Sequence, residues 1–163
     1  MRLAIISDTH LPKGSRSLPD ECRRRLADAD AILHAGDLMT ASVLDELEAI
    51  GPPVHAVHGN VDGPALRARL PETLELELVG VRIAMVHDSG PSSGRLKRMR
   101  TRFPRADVVV FGHSHMPLLE LSDAGPILLN PGSPTERRRA TTHTMAVGEL
   151  TGGQARFELV ALD

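Results

Sequence analysis

Five short apolar runs, each followed at once by polar residues, constrain the fold of this chain more than any other feature. The runs have the length of strands and are apolar throughout, which is typical of strands buried on both faces. They cover residues 3–6, 31–33, 54–57, 81–86 and 108–111. Apolar residues with helical spacing separate the first three runs: Cys22, Leu26 and Ala29, then Val43, Leu44, Leu47 and Ile50. This alternation predicts an α/β fold.

The rest of the chain is predicted to contain one more helix and several strands. A helix over residues 95–103 would bury Leu96, Met99 and Phe103. Residues 73–79 alternate leucine with glutamate, which predicts a strand with one exposed face and a hairpin at Gly80. Beyond residue 117 the pattern predicts only strands, over residues 118–121, 127–129, 144–150 and 155–162.

The organisation of the chain predicts one domain over residues 1–163. No repeat, low-complexity tract or long linker divides the 163 residues, and a hydrophobic content of 41% is enough for a sizeable core. Asp45 and Glu46 are expected at the front of the second helix, which Gly51 would end. We therefore expect two packed sheets flanked by helices, sharing one core.

Charge and hydropathy exclude several classes of protein. A formal net charge of −2 gives no global field that would attract nucleic acid or an anionic membrane. No apolar run approaches the ~20 residues of a membrane-spanning helix, and Ser7 and Asp8 interrupt the first run too early for a signal peptide. A single cysteine, Cys22, agrees with a reducing compartment. We expect a cytoplasmic protein.

Side chains that bind metals follow all five apolar runs. They are Asp8, His10, Asp37, Asn60, His87, His113 and His115. Because loops at the carboxyl ends of parallel strands converge on one crevice, these separated residues are expected to be neighbours. Asp8 and His10 are two residues apart, so in an extended segment their side chains would point the same way. A carboxylate has two oxygens, which makes Asp37 the candidate to bridge a pair of cations.

The chemistry of this donor set indicates hydrolysis with metal ions. Oxygen and imidazole donors without a thiolate suit manganese, iron, cobalt, nickel or zinc, and exclude a cysteine-rich structural zinc site. Two ions ~3.5 to 4 Å apart can clamp a phosphoryl group, lower the pKa of a water and balance developing charge. Each dipeptide is weak evidence alone, since Gly-Asp and Gly-Asn are common in turns. Their ordered occurrence after five strands favours a metal site.

The order Asp-x-His, Gly-Asp, Gly-Asn, His and Gly-His-x-His, from Asp8 to His115, resembles the calcineurin-like metallophosphoesterases. The short chain, the Asn-Pro-Gly-Ser sequence at residues 130–133 and Asp62 two residues after Asn60 resemble the small bacterial and archaeal phosphodiesterase branch. The resemblance covers nearly the whole chain. It implies a four-layer α/β/β/α sandwich with two mixed sheets flanked by helices.

The resemblance also implies the roles of the site residues and two divalent ions, with manganese the first choice of metal. The first ion would take Asp8, His10, Asp37 and His115. The second would take Asp37, Asn60, His87 and His113. A water or hydroxide bridging the ions would be the nucleophile, and Asp37 and Asn60 are also the candidates for a catalytic role.

Two positions depart from the pattern of the family. Many members carry a histidine directly after the Gly-Asn asparagine, where it protonates the leaving group or contacts the phosphate, but this chain has Val61. We therefore expect good leaving groups to be favoured over alkyl phosphate monoesters. Related proteins often have Gly-His after the fourth ligand position, whereas Asp88 and Ser89 follow His87 here.

Several other polar residues allow more than one interpretation. His34, inside the second run, is either a hydrogen-bond donor that supports the site or an ordinary buried histidine. The basic residues Arg95, Arg98 and Arg102, and the run 137–139, could attract phosphate, although such charges are more often solvated surface. Residues 130–133 form at least a turn, and a structural role is the simpler interpretation. His55, His58 and His143 receive no role.

These observations predict a phosphodiesterase, with or without a weak monoesterase activity, that hydrolyses a small phosphorylated or nucleotide-like substrate. The alternative is a catalytically weak metal-binding scaffold, because a eukaryotic relative of this branch, a retromer subunit, serves chiefly in protein interaction. A nuclease would need aromatic side chains to stack single-stranded bases, and the chain has three Phe and no Trp or Tyr. We expect a homo-oligomer, and we expect no large nucleic acid or membrane as partner.

Overall fold

The computed structural model of the chain describes residues 1–162, which form two five-stranded mixed sheets. The strands of the first sheet, in spatial order, are β10 (Gln154–Ala161), β9 (Thr144–Thr151), β1 (Arg2–Ile6), β2 (Ala31–His34) and β3 (Val54–Ala56). Those of the second are β4 (Thr73–Leu78), β5 (Val81–Val86), β6 (Val108–Val110), β8 (Ile127–Asn130) and β7 (Leu118–Glu120).

Each sheet contains three consecutive parallel strands, with antiparallel strands on one side of them in the first sheet and on both sides in the second. In the first sheet β1, β2 and β3 are parallel, while β9 pairs antiparallel to β1 and to β10. In the second sheet β5, β6 and β8 are parallel, and β4 and β7 run antiparallel to their neighbours. The carboxyl ends of the parallel strands in each sheet therefore lie at one edge, where loops can converge.

The main hydrophobic core lies between the two sheets, where alternate strand residues of both meet. Leu3 and Ile5 of β1 pack in one cluster with Ile83 and Met85 of β5. Leu74, Leu76 and Leu78 of β4 join this cluster with one face, as their alternation with glutamate predicts. The turn from β4 to β5 uses Val79 and Gly80, both with positive φ, which is the geometry of a tight hairpin.

Four helices cover the outer faces of the sheets. They are α1 (Asp20–Ala27), α2 (Ala41–Glu48), α3 (Pro64–Arg69) and α4 (Arg95–Arg102). A second cluster joins the first three helices to the outer face of the first sheet, and a third joins Met99 of α4 to the second sheet. The resulting layers are α/β/β/α, as expected. None of the helices within residues 1–162 is long and apolar enough to span a bilayer.

The structure corrects two details of the helices. Asp45 and Glu46 are not at the front of α2, since its first turn contains no acidic residue. Helix α3 was not predicted at all, because it spans only six residues with one buried apolar residue, Leu66, too few for a periodic signal. Its one local sign is Pro64 at the first helical position after Gly63, a favoured way to start a helix.

Candidate metal centre

Backbone conformation at the strand ends singles out the predicted ligands. Among residues 1–162, eight residues other than glycine have a positive φ, and five of them are predicted ligands: Asp8 (55°), His10 (45°), Asp37 (61°), His113 (68°) and His115 (59°). A left-handed conformation is unfavourable for a residue with a Cβ, and such residues cluster at functional sites where the surroundings hold them. The strand-end loops therefore store local strain at the candidate site.

The same conformations correct our reasoning about Asp8 and His10. These residues are not in an extended segment, because both have positive φ. Their side chains nevertheless lie close, with His10 Nε2 3.9 Å from Asp8 Oδ1. The segment is held by backbone hydrogen bonds from Asp8 N to Gly36 O at 2.9 Å and from His10 N to Asp37 O at 3.0 Å. Contact with the next loop therefore brings the two donors together.

Glycine is required where the ligand loops touch. A Cβ on Gly59 would overlap Asp37 Oδ1 and the Asp37 backbone nitrogen, and one on Gly112 would overlap the Ser7 hydroxyl. Both glycines directly precede a predicted ligand. The glycines of the Gly-Asn and Gly-His dipeptides are therefore required by close packing, and not only by the geometry of a turn.

Hydrogen bonds to backbone carbonyls fix the ring orientation of two histidines. His115 Nδ1 lies 2.7 Å from Glu136 O, and His87 Nδ1 lies 2.8 Å from Ala35 O. A carbonyl only accepts, so each Nδ1 carries the proton, and the neutral ring presents an Nε2 lone pair on its other side. A fixed Nδ1–H of this kind is typical of histidines that bind metals through Nε2.

The Nε2 atoms then face carboxylate oxygens. His115 Nε2 lies 3.3 Å from Asp8 Oδ1, and His87 Nε2 lies 3.3 Å from Asp37 Oδ2. His10 Nε2 lies 3.5 Å from the same Asp37 oxygen. His10 Nε2 and His115 Nε2 are buried and have no hydrogen-bond partner. An Nε2 atom that faces a carboxylate oxygen at this distance needs a positive charge between the two, which either a proton or a metal ion can supply.

Two groups of donors are compact enough to hold an ion. In each group the donor atoms lie within 4.8 Å of one another. The first is Asp8, His10 and His115, and the second is Asp8, Asp37 and His87. Asp8 belongs to both groups, whereas Asp37 was expected to bridge the two cations. Asp37 Oδ2 nevertheless faces one histidine of each group, His10 and His87.

Asn60 and His113 complete the convergence of the seven predicted residues. Asn60 Oδ1 lies 3.0 Å from His87 Nε2 and 3.0 Å from His113 Nδ1. Both belong to strand-end loops, Asn60 after β3 and His113 after β6. All seven predicted ligands are therefore connected by contacts at the carboxyl edge of the two sheets.

Burial and charge shift the pKa values of these groups in agreement with a charged centre. Burial lowers the pKa of His10, opposed by the Asp37 carboxylate. Burial would raise the pKa of Asp37, but hydrogen bonding and charge from His87 bring it down to about 2. Burial would lower the pKa of His87, but its contact with Asp37 outweighs this and raises it. Asp37 is therefore an anion, and it favours a positive charge on the groups beside it.

The comparison with known proteins agrees with this geometry. Residues 1–153 match the profile of the calcineurin-like phosphoesterase superfamily domain. The chain belongs to this superfamily. Its members use divalent metals, and the buried, unpartnered imidazole nitrogens fit such ions. The donor set of oxygens and imidazoles without thiolate is the set that divalent ions of the manganese-to-zinc series accept.

Individual proteins resemble this chain over most of its length, in sequence or in structure. A probable metallophosphoesterase of Methanothermobacter thermautotrophicus is 35% identical over 98% of this chain and 92% of its own length. A phosphodiesterase of Methanocaldococcus jannaschii is 24% identical over 81% of this chain and 83% of its own. Vps29 of Entamoeba histolytica, solved in complex with zinc, superposes with a TM-score of 0.78 over 100% of both chains at 22% identity.

Asp62 holds two ligand loops together, a role that the sequence did not reveal. Its Oδ2 accepts hydrogen bonds from the backbone N–H of Asp37 at 3.0 Å and of Gly59 at 2.7 Å. Its Oδ1 accepts one from Met39 N at 2.6 Å. The position of Asp62 after Asn60 marked it only as a family feature. Its buried carboxylate in fact fixes the loops that carry Asp37 and Asn60 to one another.

His34 supports the site, which decides between its two interpretations. Gly36 N donates to His34 Nδ1 at 3.1 Å, so the proton of the neutral ring is on Nε2, which lies 3.1 Å from Thr9 Oγ1. Thr9 stands between Asp8 and His10, and Gly36 stands directly before Asp37. Burial lowers the pKa of His34 to about 4. A neutral His34 therefore links the first two ligand loops.

Residues 130–133 border the site as well as forming a turn. Asn130 Nδ2 donates to Gly112 O at 2.9 Å, and Asn130 Oδ1 accepts from Gly132 N at 2.9 Å. Ser133 Oγ donates to Asp8 O at 2.7 Å. This segment therefore supports the loops of Asp8 and His113, which is more than the structural turn we expected.

Proposed function

We propose that this member of the superfamily is a dinuclear-metal phosphodiesterase acting on a small phosphorylated or nucleotide-like substrate. Asp8, His10, Asp37 and His115 would hold one divalent ion, and Asp37, Asn60, His87 and His113 the other, with manganese the first metal to test. The observation that carries the proposal is the pair of buried Nε2 atoms, on His10 and His115, without a hydrogen-bond partner. When bound, two such ions would acidify a water and polarise phosphoryl oxygens.

The protein's own groups would prepare the site for that chemistry. Glu136 O and Ala35 O hold the imidazoles of His115 and His87 with Nε2 directed inward. Asp62 and His34 fix the ligand loops before substrate arrives. Preorganised donors cost no rearrangement when charge develops on the phosphoryl group, which is the main way such sites accelerate reactions.

The distribution of aromatic residues favours a small substrate. The three phenylalanines, Phe103, Phe111 and Phe157, are at most 9% exposed, and the chain has no Trp or Tyr. Single-stranded nucleic acid is bound by stacking its bases on exposed aromatic side chains. A small diester needs only the phosphate contacts of the centre. The name of the Methanocaldococcus jannaschii phosphodiesterase supports the same class of reaction.

Hydrolysis of bis-p-nitrophenyl phosphate by manganese-loaded protein tests the proposal. We expect turnover that a chelator abolishes and that manganese restores. His115→Ala should lose at least a hundredfold in kcat, because it removes a buried donor of the first group. The matched control is His55→Ala, whose histidine lies on β3 at the pairing position of Leu33 rather than at the strand end.

The same experiment separates the enzyme from the scaffold alternative. If the protein is a scaffold, it should bind manganese tightly at an intact site but hydrolyse no phosphoester in a broad panel. Equal activity of the wild type and His115→Ala on every substrate would contradict the phosphodiesterase. All seven donor positions are filled by residues that bind metals, which favours the enzyme.

A further inference from the structure

The candidate centre is accessible from one side only. Of the seven predicted ligands, Asp8, His10, Asp37, His87 and His115 are buried. Asn60 is exposed and His113 is half-buried. The two are in contact through Asn60 Oδ1 and His113 Nδ1, 3.0 Å apart. A phosphoester must therefore approach from the side of Asn60 and His113, and groups at this opening are the first that could meet its phosphate.

The loop after β8 brings an arginine to this opening. Thr135 Oγ1 donates to Thr9 O at 2.6 Å, and the Glu136 carbonyl accepts from His115 Nδ1. Three residues after Thr135, Arg138 Nη1 donates to the carbonyl of His113 at 3.1 Å. Arg138 is exposed and has a φ of 50°. The loop thus crosses from the buried side of the centre to its open side.

Three other arginines near the site, Arg67, Arg98 and Arg102, make contacts within the protein. Arg67 donates through Nε and Nη2 to the carbonyls of Asp62, Gly59 and Asn60. Arg98 donates through Nε, Nη1 and Nη2 to three carbonyls of the loop before α4. Arg102 pairs with Glu72. The guanidinium groups of these three arginines therefore hold loops in place.

We propose that Arg138 is a substrate-binding residue that contacts the phosphate at the open side of the centre. This inference rests on the proposed phosphoester hydrolysis and names the group that recognises its substrate. One nitrogen of the guanidinium anchors it to His113, and a guanidinium has five N–H donors in a planar fork. The remaining donors match two oxygens of one phosphate. It takes up, for one residue of the 137–139 run, the alternative that these charges attract phosphate.

Val61, the residue after Asn60, explains why a phosphate-binding group would come from the loop of Arg138 in this chain. Val61 is 42% exposed beside Asn60 and offers no donor where many relatives have a histidine. A charged donor at the opening therefore has to come from another loop. Arg138 differs from that histidine because it cannot give up its proton. It would bind the phosphate and stabilise its charge, but it would not protonate the leaving group.

Binding of inorganic phosphate to manganese-loaded protein tests the role of Arg138 without relying on turnover. Loss of a charge-assisted contact should weaken phosphate binding roughly 10- to 100-fold in Arg138→Gln. The inhibition constant of phosphate and the KM for bis-p-nitrophenyl phosphate should rise in parallel. Arg137→Gln is the matched control, because Arg137 belongs to the same loop but donates to Thr141 O. It should change phosphate binding by less than about twofold.

Manganese affinity, measured by calorimetry, distinguishes a contact with phosphate from support of His113. We expect Arg138→Gln to bind manganese like the wild type. Phosphate binding equal in Arg138→Gln, Arg137→Gln and the wild type would overturn the inference, and so would absence of phosphate binding in the wild type. A parallel loss of manganese affinity would also overturn it. If the wild type binds phosphate through Arg138 but hydrolyses no ester, only the proposed function fails.

Discussion

The carboxylate of Asp62 and the backbone N–H of Asp37 form a buried hydrogen bond of 3.0 Å between neighbouring ligand loops. Asp62→Ala would leave this N–H and those of Gly59 and Met39 without their acceptor. We expect a loss of about 3 kcal/mol or more in the free energy of unfolding. Manganese affinity should fall about 10- to 100-fold, although Asp62 is not a predicted ligand. Urea denaturation and calorimetry measure the two effects.

Asp88→Ala is the control for this variant. Asp88 also accepts a backbone N–H, from Gly90 at 2.7 Å, but it is exposed. Its removal should cost less than about 1 kcal/mol, because water can replace the carboxylate. Equal effects of the two variants would show that Asp62 does not act through burial between the loops.

Stability of the metal-free protein should depend on pH through His34. Burial lowers the pKa of this histidine from 6.5 to about 4 in the folded chain. The unfolded chain then binds more protons between these values, so folding stability is complete above pH 6.5 and falls as the pH drops toward 4. The contribution of His34 over this window is about 3 kcal/mol. Urea denaturation at pH 7 and pH 4 measures this contribution.

His34→Gln isolates this contribution. The variant should be less stable than the wild type at pH 7, because glutamine cannot keep both contacts, to Gly36 N and to Thr9 Oγ1. The stability difference between the two proteins should narrow on acidification, since only the wild type must exclude a proton from a buried ring. A difference that stays constant from pH 7 to pH 4 would contradict a buried neutral His34.

The packing of Gly59 against Asp37 predicts that a single methyl group disables the centre. In Gly59→Ala the new Cβ would overlap Asp37 Oδ1 and force the carboxylate to move. We expect manganese affinity and hydrolysis of bis-p-nitrophenyl phosphate to fall by at least about tenfold. Gly63→Ala is the matched control in the same loop, because its Cβ would meet no atom closer than 3.9 Å. If both variants behave like the wild type, manganese binding and hydrolysis do not depend on the present position of the Asp37 carboxylate.

The sequence predicted most of the fold because burial dominates its pattern. The strands of the inter-sheet core are either apolar throughout or alternate apolar with polar residues. Both patterns can be recognised in the sequence alone. Helix α3 was missed because one buried leucine, Leu66, gives no period. The convergence of the seven candidate ligands could be predicted because each follows a strand. Their local geometry could not, since the positive φ of Asp8 and His10 depends on hydrogen bonds to a loop more than 25 residues away.

The supporting residues could not be predicted for a related reason. Asp62 acts through the backbone N–H groups of other loops, and His34 acts through the Gly36 N–H and the Thr9 hydroxyl. Backbone partners leave no mark in the amino-acid sequence, because every residue offers the same groups. The only local signal was chemical type: a carboxylate or an imidazole that follows or ends a buried strand. Such residues deserve consideration as supports even when they match no ligand motif.

Substrate preference should follow from Val61. The side chain is 42% exposed at the opening of the centre, so a histidine fits there without displacing a core residue. We expect Val61→His to raise kcat/KM for an alkyl phosphate monoester by about tenfold or more, because it adds a general acid. The rate with p-nitrophenyl phosphate should change little, since that leaving group needs no proton. Parallel kinetics with the two esters measure the ratio.

Val61→Asn is the control, because asparagine is polar but cannot donate a proton to a leaving group. It should leave the ratio of the two rates near that of the wild type. Rapid turnover of alkyl monoesters by the unmodified protein would contradict the role assigned to this position.

The stoichiometry of manganese against turnover tests the dinuclear phosphoesterase most directly. Manganese is added in steps to metal-free protein, and bound metal and hydrolysis of bis-p-nitrophenyl phosphate are measured on the same samples. We predict that two ions bind per chain at saturation and that activity continues to rise until the second ion is bound. Saturation at one ion with full activity, or turnover that persists in metal-free protein, would contradict it.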